Sequence, residues 1–310
     1  MNHSLICQEI ENLPPNQIFC TTNKYQTFYA TAKQIPHLLT LIGHRREYNF
    51  RLVGEGTGKI IDLDIYDEIY IHVIAWDTIN SQLITACRLT PIDTTIEQYG
   101  YEGIYTNSLF SYDESFFNHL APAIELGRLF VEREQQKKFN GIQLIWSGVL
   151  NWLAVHPPYQ VIVGCVTISK LYAGLIQSLI IDFCLKNRFD QTLSKMVKPK
   201  NAINDFVNFI TIAEQPKNFT TVKDLSDHIK LIGNKSIPIL FKKYEALGCK
   251  YLSFGLDKNF SNAIDMLAYV DLKKNPNNVV EKIMGASRFK TLQNNWDKAA
   301  PLALSSETNE

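Results

Sequence analysis

The sequence predicts an α/β fold in which helices flank a central, mixed and twisted sheet. Two strand patterns, "EIYIHVIAWD" at 68–77 and "SQLITACRL" at 81–89, are joined by a short turn, which is typical of an antiparallel hairpin. Two later strands, "AIELGRLFV" and "PPYQVIVGCVTIS", have an apolar helix between them, which is typical of a parallel crossover. Hairpins and a crossover in one chain predict a mixed sheet with helices on its faces.

In the first half of the chain, the periodicity of the apolar residues predicts strands and helices. "KYQTFYA" at 24–30 alternates aromatic and polar residues and predicts a strand, and a helix with a regular apolar stripe begins near Pro36. The glycine-rich turn "GEGTGK" is not a P-loop, because no strand precedes it and the Lys-Ser/Thr ending is absent. "FSYDESFFNHL" at 110–120 predicts a short amphipathic helix.

The second half alternates strands and helices until a final pair of strands. Helices are predicted for "GIQLIWSGVLNWLAV" and "LYAGLIQSLIIDFCL", and for "IPILFKKYEALG", which ends at Gly248. "CKYLSFGLD" and "AIDMLAYVDL" predict the last strands. We expect an N-terminal extension at 1–20, one domain at 21–285 with a loop-rich basic excursion at about 189–234, and a C-terminal tail at 286–310.

The composition excludes several classes of protein. The chain has 310 residues with 31 basic and 31 acidic side chains, so the neutral balance gives no support for nucleic-acid binding. Its 6 cysteines are scattered without a C-x-x-C pair and its 7 histidines lack metal-ligand spacing, which predicts reduced thiols and no metal. Neither a signal peptide nor a run of about 18 apolar residues is present. We therefore expect a cytoplasmic protein, with peripheral contact at the inner membrane as an alternative.

One strand carries charges that an apolar strand does not need. In "IELGRLFV" the carboxylate of Glu125 and the guanidinium of Arg128 lie three positions apart. A buried charge is unfavourable unless it is paired or used, and residues i and i+3 of a regular strand point to opposite faces. A basic turn and a helix start follow the strand, and helix N-termini bind anions. The stretch therefore predicts a site that holds a phosphorylated carrier.

These residues resemble a known family, the acyl-carrier-protein-dependent branch of the GNAT acyltransferases. That branch includes ornithine-lipid N-acyltransferases, the GNAT half of "hemolysin-like" acyltransferases and, more distantly, acyl-homoserine-lactone synthases. The resemblance covers about 15–285 and rests on six ordered blocks, among them "QIPHLLTLIGHRREYNFRLVGEGTGK", "DLDIYDEIYIHVIAWD" and "ELGRLFVEREQQKKF". The His-x4-Asp O-acyltransferase half found in the two-part relatives does not occur here.

The resemblance implies a GNAT-like fold and an N-acyltransferase. The enzyme would move a fatty acyl chain from an acyl-carrier-protein thioester to the amine of an amino acid, giving a precursor of ornithine- or glycine-type lipids. No tightly bound cofactor is implied. The phosphopantetheine thioester is favoured over acyl-coenzyme A as donor, because the basic turn lacks the tight R-x-x-G-x-G/A form of coenzyme-A-binding relatives.

The resemblance also implies the roles of individual residues. Glu125 would be the general base and Arg128 its catalytic neighbour, while Asp64 and Asp67 would hold the acceptor's ammonium group. The acceptor site would also include Arg46, Arg88 and Ser169. The donor site would consist of Arg133, Lys137, Lys138 and Gly141. Asp62 and Glu68 are expected to be solvated.

A local basic cluster suggests a partner. Five basic residues lie within fifteen positions of an otherwise neutral chain: Lys186, Arg188, Lys195, Lys198 and Lys200. Acyl carrier proteins are acidic, so this cluster could steer one to the enzyme, and anionic lipid headgroups are the alternative.

Two other functions stay open at this point. One is an acyl-homoserine-lactone-type signal synthase. The other is a catalytically degenerate acyl- or membrane-binding homologue, which the departures from the family at Leu129 and at Lys170-Leu171 keep open.

Overall fold

The computed structural model of the chain describes residues 3–21, 24–120, 122–136, 141–203, 218–233, 236–274 and 278–298. The strands are β1 Ile18–Thr21, β2 Tyr25–Ala30, β3 Ile71–Asp77, β4 Gln82–Pro91, β5 Phe110–Tyr112, β6 Ala123–Val131, β7 Val161–Ile168, β8 Val197–Pro199, β9 Lys250–Asp257 and β10 Ala263–Asp271. The helices are α1 His3–Glu11, α2 Pro36–Leu52, α3 Ile65–Ile69, α4 Ile92–Tyr99, α5 Arg133–Gln136, α6 Gly141–Val155, α7 Gly174–Asn187, α8 Val222–Gly233, α9 Ile239–Ala246, α10 Val279–Met284 and α11 Ala286–Lys298.

The main sheet has the mixed architecture that the sequence predicts. Its strand order is β1-β2-β3-β4-β6-β7-β10-β9, and a separate small sheet pairs β5 with β8. The pair β6–β7 is parallel, and the other neighbours in the main sheet are antiparallel. The hairpins β3–β4 and β9–β10 and the crossover β6–α6–β7 therefore confirm the predicted α/β fold with a mixed sheet.

Helices cover both faces of this sheet because successive strand residues point to opposite sides. Val73 of β3 packs in the same buried cluster as Ile145 and Val149 of α6. The next residue, Ile74, belongs to a second cluster with Leu38 and Ile42 of α2. The stripe predicted for α2 is thus the face that contacts the sheet.

The parallel strands β6 and β7 diverge near the middle of the sheet. Their ladder pairs only Ala123–Glu125 with Val161–Val163. Gly164 lies at the last close approach, since a Cβ atom added there would be 2.4 Å from the carbonyl oxygen of Leu126. Beyond this contact the two strands separate and leave an opening in the sheet.

A bulge in β6 changes which residues face that opening. The pairing of β4 with β6 shifts between Ala86 and Arg88, and Arg128 has a φ of +52°. The extra residue reverses the strand's alternation. Glu125 and Arg128 both contact Tyr105 as a result, so the prediction that they lie on opposite faces is wrong.

We expect Gly164→Ala to lower the free energy of unfolding by about 1–3 kcal/mol, because the added methyl group meets a backbone carbonyl that cannot rotate away. Gly127→Ala is the matched control, since a Cβ at Gly127 meets nothing within 4 Å, and its effect should stay below about 1 kcal/mol. Urea unfolding of both variants measures the difference. Equal stability of the two variants would show that β6 and β7 do not approach this closely.

Several predicted elements differ from the structure. The segment 110–120 is not an amphipathic helix: β5 pairs there with the distant β8, a contact that local periodicity does not reveal. The strand predicted from 68 begins at Ile71, because Asp64 caps the short helix α3. The basic excursion contains β8 and helix α8, while its residues 204–217 lie outside the described part.

Both ends of the chain contribute helices. Helix α1 lies in the segment predicted as an extension, and its Ile6 and Ile10 are buried in the cluster beneath α2. Helix α11 lies in the segment predicted as a tail, where the indole Nε1 of Trp296 donates to the carbonyl oxygen of Tyr159 at 2.8 Å. The domain limits themselves stay a prediction.

Candidate functional site

A cavity of about 650 Å³ opens where β6 and β7 diverge. One end is polar and includes Tyr70, Arg88, Tyr105, Thr106, Glu125, Arg128 and Asp265. One wall is largely apolar and includes Val166, Ile237, Ile239, Leu240 and Tyr244. Gln136 and Gly141 also line the cavity, so it extends to the N-terminal end of α6. This shape could hold a long acyl chain with a polar group at one end and an anion at the other.

Behind the polar end lies a buried cluster of arginines and aspartates. Arg46 is 1 % exposed, and its Nε donates to Asp62 Oδ2 at 3.0 Å while Nη2 donates to Asp67 Oδ2 at 2.8 Å. Asp62 is also 1 % exposed, so the prediction that it is solvated is wrong. Its carboxylate is needed as the counterion of Arg46. Glu68 is exposed, as predicted.

Arg88 and the α3 turn complete this cluster. Arg88 Nη1 and Nη2 bind Asp64 Oδ1 and Oδ2 at 2.5 and 3.0 Å, and Nη1 lies 2.9 Å from Asp67 Oδ2. Asp64 and Asp67 also form a capping box at the start of α3. Burial would raise the pKa of Asp67, but Arg88 and Arg46 outweigh it and hold that pKa below its usual range. Burial lowers the pKa of the adjacent His72 to about 4, which leaves it neutral at pH 7.

Glu125 lies in the cavity wall with both oxygens already engaged. Its Oε2 accepts hydrogen bonds from the Tyr70 hydroxyl and from the backbone N–H of Tyr105 at 2.9 Å, and Oε1 accepts from the N–H of Thr106 at 2.8 Å. The carboxylate therefore fixes the loop that carries Tyr105 and Thr106. Its role as general base stays a prediction.

Arg128 points into the same end of the cavity. Its guanidinium carbon lies 4.9 Å from the ring centroid of Tyr105 and 4.6 Å from that of Phe260. The ion pairs of Arg128 are long, with 3.5 Å from Nε to Asp62 Oδ2 and 3.8 Å from Nη2 to Asp64 Oδ2. Its Nε atom is buried and has no hydrogen-bond partner in the described residues.

The residues predicted for the acceptor site separate into two groups. Arg88 and Ser169 lie in the cavity wall. Arg46, Asp64 and Asp67 do not. Asp67 pairs with Arg46 and Arg88, and Asp64 pairs with Arg88. The structure therefore corrects their predicted position, and the carboxylates expected to hold an ammonium group already bind arginines.

The predicted donor site is only partly described. A Cβ at Gly141 would lie 2.6 Å from Val131 Cγ1, so glycine allows α6 to begin against β6. Arg133 is exposed, and its backbone N–H donates to Asn49 Oδ1 at 3.0 Å. Lys137 and Lys138 lie outside the described residues. The donor role of all four residues stays a prediction.

Two acidic residues in the wall were missed by sequence reasoning. Glu55 belongs to the glycine-rich turn after α2, and Asp265 lies in the middle of β10. Burial and the neighbouring Asp265 raise the pKa of Glu55 to about 8, although Arg128 opposes the shift. Burial raises the pKa of Asp265 to about 7, and Asp257 adds to the shift. A carboxylate inside the apolar run "AIDMLAYV" is the same signal that singled out Glu125, and it could have identified Asp265.

Metal ligands, thiols and membrane-spanning helices can be examined in the described residues only. The described residues contain no group of three His, Cys, Asp or Glu side chains that could hold a metal ion. The five cysteines whose side chains are described are free thiols. In the described part of the chain, no helix is long and apolar enough to span a bilayer.

The predicted basic cluster is smaller than its sequence suggests. Lys186 pairs with Asp182 at 2.7 Å and Arg188 pairs with Glu245 at 3.0 Å. Lys195, Lys198 and Lys200 are exposed. These three lysines remain as the surface that could receive a charged partner.

Residues 45–147 match the family model described as an acetyltransferase (GNAT) domain. The chain is 26% identical over 260 residues to a glycine N(alpha)-acyltransferase of Bacteroides thetaiotaomicron, which covers 77% of this chain and 75% of that protein. It is 23% identical over 259 residues to a glycine N(alpha)-acyltransferase of Phocaeicola vulgatus, covering 78% of each. A solved CoA-dependent acyl-homoserine lactone synthase, MesI, is 10% identical with a TM-score of 0.39, covering 87% of this chain and 95% of that one.

The matched segment contains the second half of α2, the hairpin β3–β4, the strand β6 and the start of α6. The whole buried arginine–aspartate cluster and both charged residues of "IELGRLFV" lie inside it. The chain therefore has a GNAT-like α/β fold, with a mixed sheet that is flanked by helices.

Proposed function

We propose that the protein transfers an acyl group from a thioester donor to the amino group of an amino acid, and that glycine is its first candidate acceptor. The observation that carries the proposal is the cavity between the diverging parallel strands, which joins a buried charged end to an apolar wall. An acyltransferase needs such a channel, because it must place the thioester carbonyl beside the amine while excluding water. The two relatives named as glycine N(alpha)-acyltransferases support glycine as the acceptor.

The donor lies along β6 in this proposal. The apolar wall formed by β7 and α9 receives the acyl chain, and the thioester lies near the bulge at Arg128. Backbone N–H groups of β6 beyond its ladder with β7 stabilise the oxyanion that forms on the carbonyl oxygen. The phosphate of the prosthetic arm binds at the N-terminal end of α6, where Gly141 reaches the cavity.

An acyl carrier protein is the proposed source of the thioester. One phosphate at a helix N-terminus matches phosphopantetheine better than the three phosphates of coenzyme A. The exposed side chains of Lys198 and Lys200, together with Lys195, offer an acidic carrier a basic surface. The exposed apolar residues Val53, Leu171 and Ile239 lie around the cavity and favour a lipid-like acyl group, and they also suit peripheral contact with an anionic membrane.

The test is a reaction of the purified chain with glycine or ornithine and a palmitoyl thioester, carried either by acyl carrier protein or by coenzyme A at matched concentration. We expect an N-acyl amino acid by mass spectrometry, with the carrier-protein thioester used at least tenfold more efficiently. Equal or better rates with coenzyme A would reverse the donor assignment. A lactone formed when S-adenosylmethionine replaces the amino acid would favour the signal synthase, and no product with any acceptor would favour a degenerate binder.

A further inference from the structure

We propose that Glu55 and Asp265 together hold the ammonium group of the amino-acid acceptor and receive the proton that it loses before it attacks the thioester. This inference rests on the proposed acyl transfer. The pair takes both roles that the sequence predicted for other residues: binding of the ammonium group, predicted for Asp64 and Asp67, and action as the general base, predicted for Glu125. The reason is that the pair lies in the cavity wall, whereas Asp64 and Asp67 bind arginines behind it.

Asp265 presents one free oxygen to the cavity. It is 3 % exposed and lies opposite Thr167 in the β10–β7 ladder, where Thr167 Oγ1 donates to its Oδ1 at 2.6 Å. Its Oδ2 accepts no hydrogen bond from the described residues. This oxygen is open to the cavity rather than enclosed by protein atoms, so a hydrogen-bond donor in the cavity can reach it. The position therefore suits a donor that enters with the substrate.

Glu55 is held at the cavity by the turn around it. Its backbone N–H donates to the carbonyl oxygen of Phe50 at 2.9 Å. The next residues are tied down as well, since Glu47 accepts the N–H groups of Thr57 and Gly58 at 2.9 Å each. Among the described residues, the Glu55 carboxylate makes neither a hydrogen bond nor an ion pair. A rigid turn therefore presents an unpaired carboxylate to the cavity.

Arg128 is an independent sign that a zwitterion binds here. Its side chain is 10 % exposed, it lines the same cavity, and its Nε has no hydrogen-bond partner in the described part of the chain. An acceptor that places its ammonium between Glu55 and Asp265 can direct its α-carboxylate toward this guanidinium. An amino acid carries both an ammonium and a carboxylate, and neither a simple amine nor a hydroxy acid does.

Burial, together with the charges around the pair, explains why it can hold a proton at neutral pH. Burial raises the pKa of Glu55 to about 8 and that of Asp265 to about 7. A base works best when its pKa lies close to the working pH. The titratable and charged groups that influence the pair, or are influenced by it, are Arg128 on β6, Asp257 on β9, Cys165 on β7, and Tyr105 and Tyr172 in loops.

The proton and electron balance of the transfer is complete with these groups. The acceptor enters as an ammonium, and one N–H bond breaks as its proton passes to the carboxylate pair. The nitrogen lone pair forms the C–N bond at the thioester carbonyl carbon. The C–S bond then breaks, and the second proton leaves the nitrogen while the thiolate is protonated. The pair returns its proton to solvent, so the products are an amide, a thiol and one proton.

The test measures acceptor binding without any donor, so that it does not depend on turnover. Glycine and ornithine are titrated into the protein at pH 7 by calorimetry in phosphate and in Tris, whose ionisation enthalpies differ. We expect binding to release roughly one proton, because the ammonium displaces the proton that the pair holds. Glycolate, which has a hydroxyl group in place of the ammonium, should release none.

Glu55→Gln and Asp265→Asn should each weaken glycine binding at least tenfold and remove the proton release. Asp271→Asn is the matched control, since Asp271 lies on the same strand outside the cavity wall and pairs with Lys274, and it should behave like the parent. Unchanged proton release in both variants, or no binding of either amino acid to the parent, would overturn the proposal. Normal binding without amide formation would instead leave the acceptor site in place and overturn the proposed acyl transfer.

The folding control uses the same pKa values. A carboxyl whose pKa is raised on folding binds its proton more tightly in the folded state. The free energy of unfolding should therefore fall as pH rises from the ordinary carboxyl pKa of about 4 to about 7 and 8, and it should level off above that range. Glu55→Gln and Asp265→Asn remove the charge that must be buried at high pH. Both variants should therefore unfold at equal or higher urea concentration than the parent at pH 9. A loss of binding cannot then be attributed to unfolding.

Discussion

Arg46→Met is expected to lower the free energy of unfolding by about 3–5 kcal/mol, because it leaves two buried carboxylates without their counterion. Arg46 is 1 % exposed and donates to both Asp62 and Asp67. Methionine fills similar space but cannot neutralise either carboxylate. Urea unfolding at pH 7 measures the loss. The contribution from Asp67, whose pKa is lowered in the folded state, is present above the ordinary aspartate pKa and is lost as pH falls below it.

Lys186→Met is the control for this variant. Lys186 pairs with Asp182 one helical turn away, and its side chain is 40% exposed. Exposed pairs of this kind contribute less than about 1 kcal/mol, because solvent screens them and the side chains lose entropy. A similar loss of stability in both variants would show that the buried cluster is no more than a set of ordinary surface pairs.

Glu125→Gln is expected to reduce turnover roughly 100-fold and to lower the free energy of unfolding by about 1–3 kcal/mol. One oxygen becomes an NH₂ group, which then faces a backbone N–H of Tyr105 or Thr106 in place of a hydrogen bond. The loop that places Tyr105 against Arg128 should shift. The measurements are thermal and urea unfolding together with kcat and KM for glycine.

The pH profile of kcat/KM separates the two roles of Glu125. If Glu55 and Asp265 receive the proton, the rise of kcat/KM with pH through about 7 to 8 persists in Glu125→Gln. An intact fold combined with the loss of that rise would identify Glu125 itself as the base, as the sequence predicted. Glu134→Gln, whose parent side chain is 56% exposed beside Arg45, should change neither stability nor turnover.

The sequence was sufficient for the sheet and for one charged strand of the cavity wall. Strong apolar periodicity identified β2, α2, the β3–β4 hairpin, β6, α6 and β7, because each of these elements buries one side or both sides against the core. A glutamate and an arginine inside "IELGRLFV" were enough to predict that this strand borders a functional site, and both residues line the cavity. A charged side chain in an apolar strand is unfavourable unless it has an ion-pair or hydrogen-bond partner or takes part in function.

The partners of those charges could not be read from the sequence. Asp62 looked like part of a solvated acidic turn, yet it lies beneath Arg46 and Arg128 because α2 and β6 pack over it. Asp64 and Asp67 looked available to a substrate, yet Arg88 and the cap of α3 occupy them. The position of a charged residue in the sequence does not reveal which residue of opposite charge lies next to it in the folded protein.

The direction in which the side chains of β6 point also depends on the tertiary structure. The bulge at Arg128 depends on the pairing of β6 with β4, and it brings Glu125 and Arg128 to the same face of the sheet. Glu55 and Asp265 are more than two hundred positions apart, so only the packing of the glycine-rich turn against β10 brings them to one cavity. The sequence alone determined the mixed sheet, its flanking helices and the charged strand at its centre. The tertiary structure decided which carboxylates are neutralised by arginines and which line the cavity without an ion pair among the described residues, because burial and charge pairing depend on distances between residues that are far apart in the chain.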